Sequence, residues 1–235
     1  MAGEMTKKTP TPPRAKASRE AAACGKLEEI FQRLFAFFGP QHWWPGETPF
    51  EVAVGAILTQ NTNWGNVEKA IANLKREGAL DPASIHEMPV ARLASLIRPS
   101  GYFNVKARRL KAFMDFLMDG HSGSMGRMKR RSAASLRESL LAVDGIGPET
   151  ADSIILYALG KPVFVIDAYT RRVLSRHGLM DHGEPYGRFQ EAFHSCYGTG
   201  GNAAFFNEYH ALFVAVGKRF CRRRPLCAEC PLNGV

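Results

Sequence analysis

Apolar residues recur at spacings of three and four along most of the chain, which is the period of an amphipathic helix. The first such period begins at Lys26. Thr48, Pro49 and Glu51 then supply an N-cap, a proline at the first helical position and a capping-box glutamate, so we expect a buried helix from there to Leu58. Further helices are predicted at 66–76, 90–97, 104–118, 136–143, 148–159, 169–176, 187–197 and 203–216.

Three segments depart from the helical period. Residues 163–166 are strand-like, and 121–131 are rich in glycine, serine and basic side chains, as in a surface loop. Residues 1–23 carry basic residues and prolines without apolar periodicity, so we expect a disordered basic tail. With a single strand-like segment among many helices, the fold class is predicted to be all-α.

The composition favours an anionic partner. The 235 residues carry a formal net charge of +9, and nucleic acid is the commonest anionic partner of a basic soluble chain. No apolar run approaches the roughly 20 residues that a membrane span needs, and the first residues lack the apolar core of a secretory signal. We therefore expect a cytoplasmic protein with no membrane partner.

The cysteines are unevenly distributed. Three of the five lie within ten residues near the C-terminus, at Cys221, Cys227 and Cys230, whereas Cys24 and Cys196 stand alone. In a reducing compartment such clustering indicates a metal site, and disulfides are not expected.

The segment 141–151 predicts a hairpin that binds phosphate. Gly145 and Gly147 allow a tight turn whose backbone N–H groups face outward, and the helix that Pro148 opens adds a partial positive charge. Ile146 is expected to anchor the turn in the core. The preceding helix is predicted to carry a capping box from Ser135 to Glu138. A Gly-x-Gly sequence alone is also typical of an ordinary turn between helices.

The sequence beyond the hairpin decides between these interpretations. Asp167 stands between the strand-like segment and the next predicted helix, and the hairpin and this segment together resemble those of helix-hairpin-helix DNA glycosylases of the endonuclease III superfamily. The resemblance implies a monomeric base-excision repair enzyme that acts on double-stranded DNA containing damaged bases. Asp167 would stabilise the oxocarbenium sugar and orient or deprotonate the attacking water. The alternative is that Asp167 only caps the following helix.

Bifunctional members of this family carry a lysine in the second hairpin helix, where its amine attacks the sugar. Glu149 occupies that position here. A carboxylate cannot form an imine, so this departure predicts a monofunctional glycosylase that uses water. Glu149 could instead only complement the dipole of its helix.

The base pocket is predicted from the tryptophans. Trp43, Trp44, Pro45 and Trp64 stand in a setting similar to that of bacterial 3-methyladenine DNA glycosylases of the same superfamily. A 3-methylated adenine in DNA is cationic, and electron-rich rings attract a cation by roughly 1 to 2 kcal/mol when desolvated. By the same resemblance Lys218 lines the pocket, although it could equally contact phosphate.

Two residues match the family's DNA wedges. Gln60 corresponds to the residue that fills the gap left by a flipped nucleotide, and Tyr102 to the residue that pries the opposite strand apart. A helix C-cap contact for Gln60 and loop packing for Tyr102 are the alternatives.

The C-terminal cysteines resemble the four-cysteine [4Fe-4S] loop of the family, with Arg222, Arg223 and Arg224 facing DNA. The fourth cysteine would fall at position 236, one beyond Val235. Either the sequence stops one residue short, or a nonprotein ligand completes the cluster, or the three thiolates hold zinc together with a histidine.

These features predict two helical lobes with DNA across the cleft between them. The first is a six-helix cassette over 44–161, and the second combines 24–43 with 162–235. The predicted activity is hydrolysis of the N-glycosidic bond of alkylated purines such as 3-methyladenine. Two rivals are a bifunctional endonuclease III-type glycosylase and abasic-site lyase for oxidised pyrimidines, and a noncatalytic module that binds DNA structure.

Overall fold

The computed structural model of the protein describes residues 13–198 and 202–235, and within them the fold is all-α, as the sequence predicts. No strand occurs in these two ranges, and each helix there is too short or too polar to cross a membrane. The helices are α1 (Pro13–Phe38), α2 (Pro49–Leu58), α3 (Trp64–Arg76), α4 (Pro82–Glu87), α5 (Val90–Leu96), α6 (Phe103–His121), α7 (Met125–Lys129), α8 (Ala133–Leu141), α9 (Pro148–Ser153), α10 (Ala168–Arg176), α11 (Tyr186–Tyr197) and α12 (Ala203–Arg219).

Side-chain caps explain where several helices begin. The Thr48 hydroxyl accepts a hydrogen bond from Glu51 N at 3.1 Å, as predicted for α2. Asn63 and Asp81 cap α3 and α4 in the same way. For α8 the predicted cap is wrong: Ser132, three residues before the expected Ser135, is the N-cap, and it accepts from Ser135 N at 3.2 Å.

Two apolar cores form in the molecule. One is built from α2 to α9 and the π-helical turn Ile154–Ala158, and the other from α1, residues 164–166 and α10 to α12. The turn contributes to both cores, with Ile154 and Ile155 in the first and Leu156 in the second. In the segment that leads to Asp167, Val163 packs in the first core, and residues 164–166 pack in the second. The assignment of the two cores to separate lobes with the stated boundaries stays a prediction.

The expected disordered tail is wrong for residues 13–23, which form the first part of α1. Alanine, arginine, lysine and glutamate are strong helix formers, and they dominate this stretch behind Pro13. The same helix goes on to bury Leu27, Ile30 and Leu34 in the second core, which anchors it. Residues 1–12 of the predicted tail lie outside the described residues.

The expected surface loop at 121–131 is also wrong. It contains α7, which Ser124 caps through Arg127 N at 3.2 Å. Met125 and Met128 are buried in the first core. Their spacing of three was the helical signal, and two apolar residues among basic ones were too few to reveal it.

The strand-like segment 163–166 has no regular secondary structure, and no strand of the described chain pairs with it. Side chains of α11 take the place of a strand. His194 Nε2 accepts from Phe164 N at 3.2 Å, Gln190 donates to Phe164 O at 2.8 Å, and the Tyr186 hydroxyl accepts from Ile166 N at 3.2 Å. Because these three side chains are four residues apart, they share one helical face. The strand prediction is therefore wrong, and α11 fixes this segment.

The expectation of no disulfides is wrong as well. Cys24 and Cys196 are joined across 172 residues, with Cα atoms 5.2 Å apart. The bond ties α1 to α11 within the second core. Sequence spacing could not reveal this pair, because only the tertiary fold brings α1 and α11 together.

Candidate active site

A cleft of about 1050 Å³ opens between the two cores. Its walls come from the segment before α2, the end of α2, the hairpin between α8 and α9, residues 165–169 and α12. It brings together most of the residues that the sequence singled out: Trp43, Trp44, Gln60, Trp64, Gly145, Gly147, Glu149, Asp167 and Lys218. Pro45, Tyr102, Ile146, the three arginines at 222–224 and the three C-terminal cysteines are not among its lining residues.

The hairpin depends on its first glycine. Gly145 has a φ of +76°, and a Cβ there would lie 2.3 Å from Arg109 Cγ, so neither the backbone nor the space allows another residue. Gly147 has no such constraint, with φ at −88° and open space around it. Ile146 is 4% exposed and packs in the first core, which agrees with its expected anchoring role.

Gln60 is tied to the hairpin. Its Nε2 donates to Gly145 O at 3.0 Å and to the Thr150 hydroxyl at 2.9 Å, while Arg109 donates to its Oε1. The side chain thus joins the end of α2 to the start of α9. Arg109 was missed in the sequence, because a single arginine in a basic helix carries no signal. Insertion of Gln60 into DNA stays a prediction.

Tyr102 is the most exposed of the large apolar or aromatic side chains in the described chain, at 71%. It stands at the N-terminus of α6 with a left-handed backbone, φ 45° and ψ 31°. Packing within its loop, which was the alternative interpretation of Tyr102, therefore leaves the ring largely exposed. A wedge role stays a prediction that this exposure suits.

Asp167 serves as a helix cap and also lines the cleft. Its Oδ1 accepts from Thr170 N at 2.7 Å at the start of α10, and its side chain is 13% exposed. Its Oδ2 lies 3.7 Å from His210 Nε2. Capping and chemistry are therefore compatible, since the cap uses one carboxylate oxygen and leaves the other facing the cleft.

Two polar residues beside Asp167 were missed in the sequence. The Tyr157 hydroxyl is hydrogen-bonded to His210 Nδ1, and His210 is 4% exposed. Burial raises the pKa of Tyr157 well above its usual value, and Asp167 and Glu149 raise it further, whereas Trp43 lowers it. Burial lowers the pKa of His210, with Asp167 acting in the opposite sense. The signal for Tyr157 was a lone hydroxyl in the apolar run 154–159, whereas His210 follows Asn207, Glu208 and Tyr209 and gave no distinct signal.

Glu149 lies on the cleft. Its side chain contacts the cleft solvent, yet the walls remove enough water to raise its pKa to about 7. The charge of Asp167 raises this pKa as well, while Arg171 lowers it.

Three tryptophans that line the cleft form an aromatic cage, and Tyr157, which is not among the lining residues, packs against it through Trp44. The Trp44 ring lies 5.1 Å from that of Trp64 and 4.9 Å from that of Tyr157. Gly55 makes this possible, since a Cβ there would meet Trp64 at 3.3 Å and Trp44 at 3.4 Å. Trp64 Nε1 donates to Glu68, whereas the buried Nε1 atoms of Trp43 and Trp44 have no partner in the described part of the chain.

Lys218 lies at the edge of this cage. Its Nζ is 5.6 Å from the centroid of the Trp43 ring, and the residue lines the cleft. Lys218 is exposed there, so contact with a base and contact with phosphate both stay predictions.

The C-terminal cysteines surround a second cavity of about 260 Å³, away from the cleft. Cys221 is buried, and Arg176 donates to its Sγ at 3.3 Å. In residues 13–198 and 202–235 no three His, Cys, Asp or Glu side chains converge closely enough to hold a single metal ion. The exposed Arg222, Arg223 and Arg224 follow Cys221, and Arg176 fixes the first two through their carbonyl oxygens.

This chain matches the family model of HhH-GPD superfamily base excision DNA repair proteins. The match spans residues 54–197, which include the hairpin, Glu149 and Asp167. The chain belongs to the HhH-GPD superfamily. It is thus a DNA glycosylase of base excision repair that acts on DNA, and a noncatalytic DNA-binding module is not supported.

Other HhH-GPD proteins match most of the chain. MJ1434 of Methanocaldococcus jannaschii, named as a DNA repair glycosylase, is 43% identical over 208 residues, which is 88% of this chain and 94% of its own. The H. pylori 3-methyladenine DNA glycosylase bound to 1,N6-ethenoadenine superposes with a TM-score of 0.71 at 29% identity, over 84% of this chain and 97% of its own. A DNA-trapped endonuclease III shares the fold, with a TM-score of 0.75 at 21% identity over 89% and 93%.

Proposed function

We propose that the protein is a monofunctional glycosylase that hydrolyses the N-glycosidic bond of alkylated purines such as 3-methyladenine. The observation that carries this proposal is the aromatic cage on the same cleft as Asp167. The likeness to the H. pylori 3-methyladenine glycosylase, over 97% of that chain, supports it.

The cage suits a cationic base. Trp44 has aromatic neighbours at 4.9 and 5.1 Å, so a flipped base would enter a site rich in π-electrons and poor in water. A desolvated cation over such rings gains about 2 kcal/mol, which an uncharged base would not.

The chemistry needs only a single carboxylate. When the bond from C1′ to the base breaks, the electron pair leaves with the base and neutralises its positive charge. The Asp167 carboxylate stabilises the oxocarbenium ion that remains, and water then adds to C1′ as its proton passes to that carboxylate. A cationic leaving group needs no prior protonation, so one acidic residue suffices.

Glu149 supports hydrolysis by water, because the position of the family's attacking amine holds a carboxyl group. One observation favours the bifunctional alternative: Lys218 brings an amine to the cleft. Borohydride trapping separates the two. The proposal predicts no covalent complex with an abasic duplex, whereas a trapped complex that disappears in Lys218→Met would make Lys218 the lyase residue.

For the iron-sulfur site, we propose that Cys221, Cys227 and Cys230 hold a [4Fe-4S] cluster. These thiols border a cavity of about 260 Å³, and three closely spaced cysteines resemble the cluster loop of the family. Arg176 would stabilise the Cys221 thiolate by its hydrogen bond. When bound, such a cluster serves as a structural brace for the arginine loop. Iron and sulfide analysis of anaerobically purified protein tests this, and stoichiometric zinc would contradict it.

Release of free bases from alkylated duplex DNA tests the activity. The DNA is methylated, incubated with the protein, and the released bases are identified by chromatography. The proposal predicts 3-methyladenine among the products and an intact strand at the abasic site until alkali is added. If 3-methyladenine is absent from the released bases, the cage has been misinterpreted.

A further inference from the structure

We infer that Tyr157 and His210 form a positioning pair for Asp167, in which Tyr157 fixes the imidazole tautomer and His210 directs its Nε2–H at Asp167 Oδ2. The inference rests on the proposed role of Asp167. It goes beyond that role because it assigns the group that holds the second carboxylate oxygen.

The geometry isolates that oxygen. Asp167 Oδ1 is taken up by the backbone of Thr170 at 2.7 Å, which leaves Oδ2 facing His210 Nε2 at 3.7 Å. That Nε2 is buried and has no hydrogen-bond partner in the described residues. A buried donor without a partner is costly, and a carboxylate within 1 Å of bonding distance is the group that would satisfy it. Such contacts in free enzymes commonly tighten when substrate binds.

Tyr157 decides which nitrogen carries the proton. Its hydroxyl bonds His210 Nδ1. Burial lowers the pKa of His210, so the ring is neutral and carries one N–H. A proton on Nδ1 would turn the lone pair of Nε2 toward the Asp167 carboxylate, which is repulsive. A proton on Nε2 lets Tyr157 donate to Nδ1 and lets Nε2 donate to the carboxylate, so both contacts become favourable.

The two residues come from different parts of the fold. Tyr157 stands in the π-helical turn after α9 and packs on Trp44 at 4.9 Å, while His210 stands on α12. The pair therefore links the aromatic cage, through the packing of Tyr157 on Trp44, to the Asp167 carboxylate. A donor aimed at Asp167 favours its ionised form.

This effect has to be separated from the other charges on the cleft. Glu149 from α9, Arg171 from α10 and Lys218 from α12 also line the cleft with Asp167. All three remain in place when Tyr157 or His210 is changed, so a shift in those variants reports the pair itself.

The test measures single-turnover base release against pH for the wild type, Tyr157→Phe, His210→Leu and His210→Gln. Tyr197→Phe is the matched control, since its hydroxyl contacts exposed Glu28 at 3.4 Å and does not line the cleft. We expect the acidic limb to move up by roughly one pH unit in Tyr157→Phe and His210→Leu. His210→Gln, which keeps a donor near the Nε2 position, should restore part of the shift. If Tyr157→Phe and His210→Leu fold and show the same acidic limb as the Tyr197→Phe control, the proposed pair is refuted.

A second readout does not require activity. Nitrogen-15 spectra of the histidines should show His210 protonated on Nε2 in the wild type and a mixture of tautomers in Tyr157→Phe. A wild type with no base release but the Nε2–H tautomer would refute the proposed function and leave the pair standing. A wild type with base release and an Nδ1–H tautomer would refute the pair alone.

Discussion

Removal of Arg137 should destabilise the protein far more than removal of an ordinary surface arginine. Arg137 donates to the fully buried Asp152 at 2.8 and 3.3 Å, and Gln190 supplies one further hydrogen bond at 2.8 Å. Arg137→Leu takes away the only cation that pairs with this carboxylate within the described chain and leaves it buried with neutral donors alone. Removal of one partner of a buried ion pair lowers the free energy of unfolding by about 3–5 kcal/mol. Because the Arg137 side chain is 30% exposed, we expect about 3 kcal/mol.

Urea unfolding followed by circular dichroism measures this loss. Arg188→Leu is the matched control: its ion pair with Glu191 is 62% and 60% exposed, so its removal should cost less than about 0.5 kcal/mol. The double variant Arg137→Leu with Asp152→Leu should recover most of the loss, since it leaves no buried charge. A loss below about 1 kcal/mol in Arg137→Leu, or one equal to that of Arg188→Leu, would refute the reasoning.

Three further predictions concern the cleft and the disulfide. Burial and Asp167 raise the pKa of Glu149 from 4.5 to about 7 in the folded protein. Ionisation of Glu149 therefore lowers the free energy of unfolding as the pH rises from 4.5 to 7. Glu149→Gln should therefore stabilise the protein above pH 7 by about 1 kcal/mol, discounted for its solvent contact, and change nothing at pH 4; equal effects at both would contradict this. Cys24→Ser should lower the unfolding free energy by about 3–5 kcal/mol, because the disulfide closes a loop of 172 residues, and an unchanged urea midpoint would count against it. Trp44→Leu should slow release of cationic 3-methyladenine by about 10-fold or more while sparing an uncharged purine, and equal slowing of both would rule out the cation effect.

Local sequence was sufficient to predict features that depend on a few neighbouring residues. The cap at Thr48, the hairpin at Gly145 and the position of Asp167 before a helix depend on spacing within one or two turns. Ile146 could be placed in the core for the same reason. Such features are predictable because backbone hydrogen bonds and turn sterics act over short distances.

Features that depend on distant contacts were missed. His210 and Tyr157 are 53 residues apart and meet only in the fold. Residues 163–166 have strand-like composition, but α11 provides their partners through side chains, and no local pattern distinguishes that from a sheet. The disulfide between Cys24 and Cys196 likewise needed the packing of α1 on α11.

The aromatic cage was predicted in part. Three tryptophans close in sequence indicated a shared pocket, yet Tyr157, which packs against the cage, comes from the turn after α9. Gly55 was also not singled out, because its role is to leave space between two rings. Resemblance to a family singled out Asp167 and the tryptophans as candidates, and the fold was needed to find Tyr157 and His210 beside them.

The most direct test of the central claim compares wild type and Asp167→Asn for single-turnover release of 3-methyladenine from an alkylated duplex. Asparagine keeps the cap on Thr170 N but carries no charge to stabilise the oxocarbenium ion. We expect release by the wild type and a loss of about 10³-fold or more in the variant, with unchanged affinity for undamaged DNA. Equal release by the two proteins, or no 3-methyladenine from the wild type, would contradict the claim.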